Sequence, residues 1–380
     1  MNYKYQEFGR FFAQFAGGLE DEGAAELTEL GAADVATAYR GCFFTADSAG
    51  VYRINYQSRL ATRILAPLTS FGCHSTEYLY RSLRDIDWTD FMDVDNTFAV
   101  FANVSNSKIR HSKYAALRVK DAVVDSFRDS CGRRPNVDTR SPHVWFNLHI
   151  ENNHCTLSLD TSGGSLHRRG YRQAAGAAPM QETVAAAVIR FAGWDGERPM
   201  FDPMCGSGTL LAEALMHFCR IPAGYLRDHF GFMALPDFDA QLWRQVKMNA
   251  DRRVRPLPPG LIRGSDVDAS IVAVARQNLN SLPNGDRVEI RVADVFEHAG
   301  CTNETIITNP PYGVRMGEKQ QVGEQIRRLG DFFKQRCTGS TAYLYLGDRA
   351  MIKKVGLRPK SKKPLTSGSL DGRLVAYELY

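Results

Sequence analysis

The chain has 380 residues, is 44% hydrophobic and 23% charged, and carries a formal net charge of +5. That length supports two or three domains with ample core, and no run of uncharged apolar residues approaches a membrane span. The mild positive charge permits a nucleic-acid partner without requiring one. The eight cysteines lack a Cys-x-x-Cys pair and the nine histidines lack a His-Glu-x-x-His pattern. No zinc ribbon, disulfide framework or other metal site is therefore expected. The first residues lack the apolar core of a signal peptide, so a cytoplasmic location is expected.

In chain order, Phe11 to Ala16 reads as a strand, and Leu19 to Leu30 as a helix stopped by Gly31. Val51 to Leu65 reads as an apolar–basic segment, helical in its later part. Pro67, Ser70 and Gly72 then read as a linker. Thr97 to Val104 is a strand candidate, and Ala115, Val119, Val123 and Phe127 fall at helical spacing. Val144, Phe146, Leu148 and Ile150 alternate, and Cys155, Leu157 and Leu159 follow as the second arm of a hairpin. From about residue 166 strands and helices alternate, with strands ending near Asp202, Ser265, Ala293, Thr308 and Gly347. This predicts a doubly wound, mostly parallel sheet, with ligands bound beyond the carboxyl ends of its strands. Lys353 to Lys363 reads as an exposed loop, and Arg373 to Tyr380 as a final antiparallel edge strand.

Asp202-Pro203-Met204-Cys205-Gly206-Ser207-Gly208-Thr209 reads as strand, glycine turn, helix. It lacks the Gly-Lys-Ser/Thr ending of a phosphate loop, and an acid at its start would repel a pyrophosphate. An acid there suits a cation such as the ammonium end of S-adenosyl-L-methionine. Asp266, at the next strand end, can accept both ribose hydroxyls, although a helix N-cap is the plainer reading of a lone Asp. Asp294 can accept from an adenine amine while Val295 and Phe296 wall the ring. Asn309-Pro310-Pro311-Tyr312 closes the apolar run Thr305 to Thr308. Its prolines stiffen the backbone, and the Asn309 and Pro310 carbonyls accept hydrogen bonds from one NH2 group. Tyr312 supplies a flat surface for a base. Four polar residues at four successive strand ends argue together for a methyl-transfer site.

With these motifs the chain resembles a class I S-adenosylmethionine-dependent methyltransferase. It is similar in particular to the bacterial THUMP-domain methyltransferases of the large-subunit (23S) rRNA guanine-N2 type. Members of that group are also labelled N6-adenine-specific DNA methylases. The resemblance rests on Gly18 to Leu27, His111 to Tyr114 with Arg118 to Ala122, Leu166 to Arg172, Ala178 to Glu182, and a segment from Ile221 to Trp243 between the first two strands. It implies a ferredoxin-like domain over residues 1–70, a THUMP RNA-binding domain over 71–165 and a Rossmann-like methyltransferase domain over 166–380. It implies cofactor contacts from Asp202, Pro203, Gly206, Gly208, Thr209, Asp266, Asp294, Val295 and Asn309, with Pro179 and Glu182 beside them. Gln181 stands where the family has a basic residue. Catalytic roles fall on Asn309, Pro310, Pro311 and Tyr312. No second methyltransferase domain of the kind fused in some relatives is expected.

The implied partner is a structured RNA, large-subunit rRNA or its assembly intermediate, met by a monomer. Lys108, Arg110, His111, Lys113, Arg118 and Lys120, with Arg168, Arg169 and Arg172 near the domain join, are the candidate phosphate contacts. A solvated helix face is the bland reading of the first six. Three rivals stand beside guanine-N2 transfer. They are N6-adenine methylation of RNA or DNA, methylation of a protein glutamine, and a non-catalytic RNA-binding role in ribosome assembly.

Overall fold

The computed structural model describes residues 2–173, 180–311, 316–366 and 371–380. Pro179, Tyr312 and Gly313 therefore lie outside the described residues. The chain forms two compact units: residues 1–15, 20–166 and 227–248, and residues 16–19, 167–226 and 249–380.

The first unit opens with helix α1 (Lys4–Phe8) and strand β1 (Arg10–Gln14), then α2 (Glu20–Glu29), β2 (Ala33–Ala38), β3 (Gly41–Thr45), α3 (Ser48–Gln57) and β4 (Arg63–Gly72). It continues through α4 (Thr76–Arg84), β5 (Thr97–Ser105), α5 (Ser112–Cys131), β6 (Asn136–Val137), β7 (Val144–Glu151) and β8 (His154–Asp160). One eight-stranded sheet runs β2-β3-β1-β4-β8-β7-β5-β6. Alternation along its strands puts Phe11, Phe44, Ile64, Leu159, Phe146 and Phe98 in the core. The expected hairpin is β7–β8, in register from Phe146 opposite Leu159 to Glu151 opposite His154.

Two expectations fail here. Val51 to Leu65 is helical in its first half and strand at its end. Pro67, Ser70 and Gly72 are not a linker, because they lie within β4, which spans the join between the two halves of the sheet. Pro67 sits beyond the β1 pairing, which ends at Leu65, and at a register shift against β8. A bulge is where a strand tolerates a residue that cannot donate.

The second unit contains α6 (Glu182–Ala192), β9 (Met200–Asp202) and α7 (Thr209–Phe218). After the excursion to the first unit, which includes most of α8 (Ala240–Asp251), come β10 (Ile262–Asp266), α9 (Ala269–Asn280), β11 (Glu289–Val292) and β12 (Thr305–Thr308). The chain ends with α10 (Met316–Arg336), β13 (Thr341–Leu346), β14 (Ser361–Pro364) and β15 (Arg373–Glu378). The strand order is β11-β10-β9-β12-β13-β15-β14. The first five strands are parallel, and β15 runs antiparallel between β13 and β14. The last strand is thus interior, and part of the expected loop at Lys353 to Lys363 is the edge strand β14. Connections go outward from β9 to one side and then return to β12 on the other, so a crevice opens at the carboxyl ends of β9 and β12.

The excursion packs by aromatic contacts inside the first unit. Trp243 meets Phe232 at 5.1 Å, Tyr56 at 5.3 Å and Phe230 at 5.5 Å between ring centroids. Arg227 donates to the Ser162 and Ser165 carbonyls, and Tyr5 to the Asp237 carboxylate at 2.6 Å. Among the described residues no helix is long and apolar enough to cross a membrane.

Candidate active site

An open cleft of about 1430 Å³ lies along the carboxyl edge of the parallel strands. It collects Asp202, Pro203, Gly206, Thr209, Asp266, Asp294, Val295, Asn309, Pro310 and Pro311 from the sequence candidates. Each reaches it for a local reason. β9 ends at Asp202, and the chain turns through Gly206 (φ +52) and Gly208 (φ +82), conformations that favour glycine. A Cβ on Gly206 would meet nothing within 4 Å, whereas one on Gly208 would press on Ala275 at 3.2 Å. Gly206 therefore leaves room for a ligand, and Gly208 serves packing of α7 on α9.

Asp202 is 1% exposed. Its Oδ1 accepts from the Thr308 hydroxyl at 2.7 Å and the Met204 amide at 3.2 Å. Burial pushes its carboxyl up to about 7 in spite of these bonds. Asp266 ties the glycine turn to the next strand, its Oδ2 accepting from the Gly206 amide at 2.9 Å. It is not the N-cap of α9, because Asp268 accepts from the Ser270 and Ile271 amides instead. Asp294 does cap a turn, accepting from the Phe296 amide at 2.9 Å. Both carboxylates keep lone pairs for a ligand, since an ionised carboxylate offers about four acceptor sites. Asn309 carries the feature most telling for chemistry. Its side-chain oxygen is buried and has no hydrogen-bond partner among the described residues, and the residue lines the cleft. A buried acceptor left open costs about 1–3 kcal/mol, which a donor on a ligand would recover.

Several lining residues carry no sequence signal. Val267, 70% exposed, offers an apolar surface directly after Asp266. Gln321, Glu324, Gln325 and Arg328 approach from α10, and the Arg328 guanidinium lies 3.9 Å from the Phe296 ring centroid. Helical spacing along α10 is readable, but which stripe meets the cleft is decided by tertiary packing. Cys205 also lines the cleft, and burial raises its thiol well above the ordinary range, away from nucleophilic use.

Other candidates lie elsewhere. Glu182 is buried and its carboxylate lies 3.3 Å from Arg172. Arg169 corrects an expectation. It is 1% exposed and paired with buried Glu213 at 3.3 Å, so it cannot present its charge to a phosphate in this structure. Arg172 is likewise turned inward, donating to the Met180 carbonyl and the Thr209 hydroxyl. Arg118 lies over Tyr80 and bonds Asp121, and Lys120 pairs with Asp121 at 2.6 Å. Lys108, Arg110, His111, Lys113 and Arg168 are exposed.

Residues 169–376 match the RMKL-like methyltransferase domain. The chain belongs to that family. Residues 73–160 match the THUMP domain and residues 10–65 the RlmL ferredoxin-like domain. A Synechocystis sp. protein named "Putative RNA methyltransferase slr0064" is 40% identical over 97% of each chain. The Ribosomal RNA large subunit methyltransferase K/L of Syntrophotalea carbinolica is 36% identical over 97% of this chain, which spans only 53% of that longer relative. The crystal structure of SMU.472 complexed with SAH superposes with a TM-score of 0.85 at 26% identity, covering 100% of this chain and 99% of the other. This RMKL-like protein is thus an α/β enzyme that uses S-adenosyl-L-methionine, with a Rossmann-like class I methyltransferase domain preceded by ferredoxin-like and THUMP modules.

Proposed function

We propose that the protein transfers a methyl group from S-adenosyl-L-methionine to the exocyclic N2 amine of a guanine in large-subunit rRNA. The observation that carries this reading is the buried, unpartnered Asn309 oxygen in the cleft. It is an unpartnered acceptor on a residue that lines the cleft, and an exocyclic NH2 is the donor we assign to it. The THUMP match and the name of the 36% identical relative support RNA, and large-subunit rRNA in particular.

The chain's residues fit the cofactor by the chemistry of their donors. Asp202 places negative charge where the ammonium of the cofactor would lie, and Gly206 leaves backbone room beside it. Asp266 retains lone pairs for two ribose hydroxyls, and Asp294 for an adenine amine. Pro203, Thr209 and Val295 complete the wall, and Gly208 shapes the turn. Bound there, the cofactor supplies an electrophilic methyl on a sulfonium.

The target amine is a weak nucleophile because its lone pair is conjugated into the ring. Asn309 and the Pro310 carbonyl accept from its two N–H groups and aim the remaining lone pair. Pro311 keeps this loop stiff, and we assign to Tyr312, from the sequence motif, the role of stacking on the flipped base. Catalysis is positioning by preorganised acceptors, without a strong base, and the surplus proton passes to water afterwards. Lys108, Arg110, His111, Lys113 and Arg168, all exposed, are the residues we assign to phosphate contact.

Asn309→Ala tests the reading. Turnover should fall by about 100-fold or more, as when a preorganised hydrogen-bonding group is removed from an active site. SAH affinity, followed by calorimetric titration, should stay within about two-fold, a change well under 1 kcal/mol. Equal loss of both would contradict the assignment of Asn309 to the target.

A further inference from the structure

Sequence pattern places Arg172 among the candidates for tracking phosphate. Its surroundings in the second unit are different. The guanidinium Nη2 donates to the Met180 carbonyl at 2.7 Å and to the Thr209 hydroxyl at 3.1 Å. Its Nε lies 3.3 Å from the Glu182 carboxylate, and Glu182 is 4% exposed. Met180 and Thr209 both line the cleft, whereas Arg172 and Glu182 stand behind it. Thr209 is the first residue of α7, directly after the glycine turn, and Met180 and Glu182 bracket the start of α6. One cation therefore ties the beginnings of two helices to each other at the cleft wall.

The next residue repeats the tie. The Gln173 backbone amide donates to the side-chain oxygen of buried Asn278 at 3.1 Å, and the Asn278 side-chain Nδ2 donates to the Ser207 carbonyl inside the glycine turn at 3.0 Å. Two consecutive residues thus brace the same turn by independent routes. Both Arg172 hydrogen bonds leave the one nitrogen Nη2, while Nε meets Glu182 as an ion pair without a hydrogen bond. A rigid planar guanidinium holds these positions better than a lysine ammonium on a flexible stem.

We propose that Arg172 is a positioning residue for the cofactor: held by Glu182, it fixes Met180 and Thr209 as walls of the cofactor end of the cleft and does not contact RNA. The inference rests on the cofactor and is independent of which base is methylated.

The test uses the full chain and three titrations on Arg172→Ala, Arg172→Lys and Glu182→Gln: SAH by calorimetry, RNA at several salt concentrations, and steady-state kinetics. Arg172→Ala should weaken SAH by about ten-fold or more, the scale of one charge-assisted hydrogen bond. It should raise KM for S-adenosyl-L-methionine, with RNA affinity, its salt slope and kcat at saturating cofactor held. Arg172→Lys and Glu182→Gln should each give a smaller loss of the same kind, and they carry the test if the alanine variant does not fold. Unchanged SAH affinity with a salt slope lowered by about one would make Arg172 a phosphate contact and overturn the proposal. Unchanged affinities for both ligands with a lower melting point or kcat would make it a structural brace only, and overturn it equally.

Discussion

Asp202 is where pH acts on this site. Its carboxyl is buried and pushed up to about 7. Relative to an unfolded chain its pKa is raised, so the stability it contributes is fully present below about pH 4 and is lost as pH rises through 7. The ammonium of the cofactor needs the charged form, so cofactor affinity moves the opposite way. SAH should bind about ten-fold more weakly at pH 6 than at pH 8, one protonation step on the low side of the pKa. Calorimetric titration at the two pH values checks this, and Asp202→Asn should bind weakly with no such dependence. The same variant should reduce the loss of stability of the ligand-free protein between pH 5 and pH 8, measured by denaturant unfolding. The acid was legible in the sequence because it sits beside the glycines that shape its turn. The inward turn of Arg169 was not. Only the tertiary fold brings buried Glu213 to within 3.3 Å of it, and nothing near Arg169 in sequence announces that partner.

Among the elements, the excursion that carries α8 is the most distinctive. Its Trp243 is edge-on to four rings, Tyr52, Tyr56, Phe230 and Phe232. Trp243→Ala should cost about 3–5 kcal/mol, the range for removing a large buried aromatic side chain. Urea unfolding followed by circular dichroism measures that loss. The folded fraction should keep its SAH affinity, since none of these rings lines the cleft. Elements with local signals were readable in advance: the α5 stripe, the β7–β8 hairpin, and the parallel strands with their polar ends. β4 was missed because Pro67, Ser70 and Gly72 carry turn chemistry, yet Pro67 sits at a bulge and Ser70 and Gly72 pair in regular register with β8. The Asp268 cap was misplaced by two residues, since Asp266 and Asp268 both precede the helix. Only the observed bonds separate the acid that caps from the acid that ties down the glycine turn.

For the whole molecule, the RNA reading makes a quantitative claim about charge. A net charge of +5 is mild, so binding has to come from a local cluster. Lys108, Arg110 and Lys113 are exposed at the start of α5. Replacing all three by Ala should lower the slope of log affinity against log salt by about two to three and weaken binding across RNA sequences. An unchanged slope would remove this surface from the RNA path. The most direct test of the central claim is transfer of labelled methyl from S-adenosyl-L-methionine to protein-free large-subunit rRNA from a strain lacking this gene, followed by nucleoside digestion and mass spectrometry. Label is expected in N2-methylguanosine. Label in N6-methyladenosine, or in protein alone, would contradict that claim.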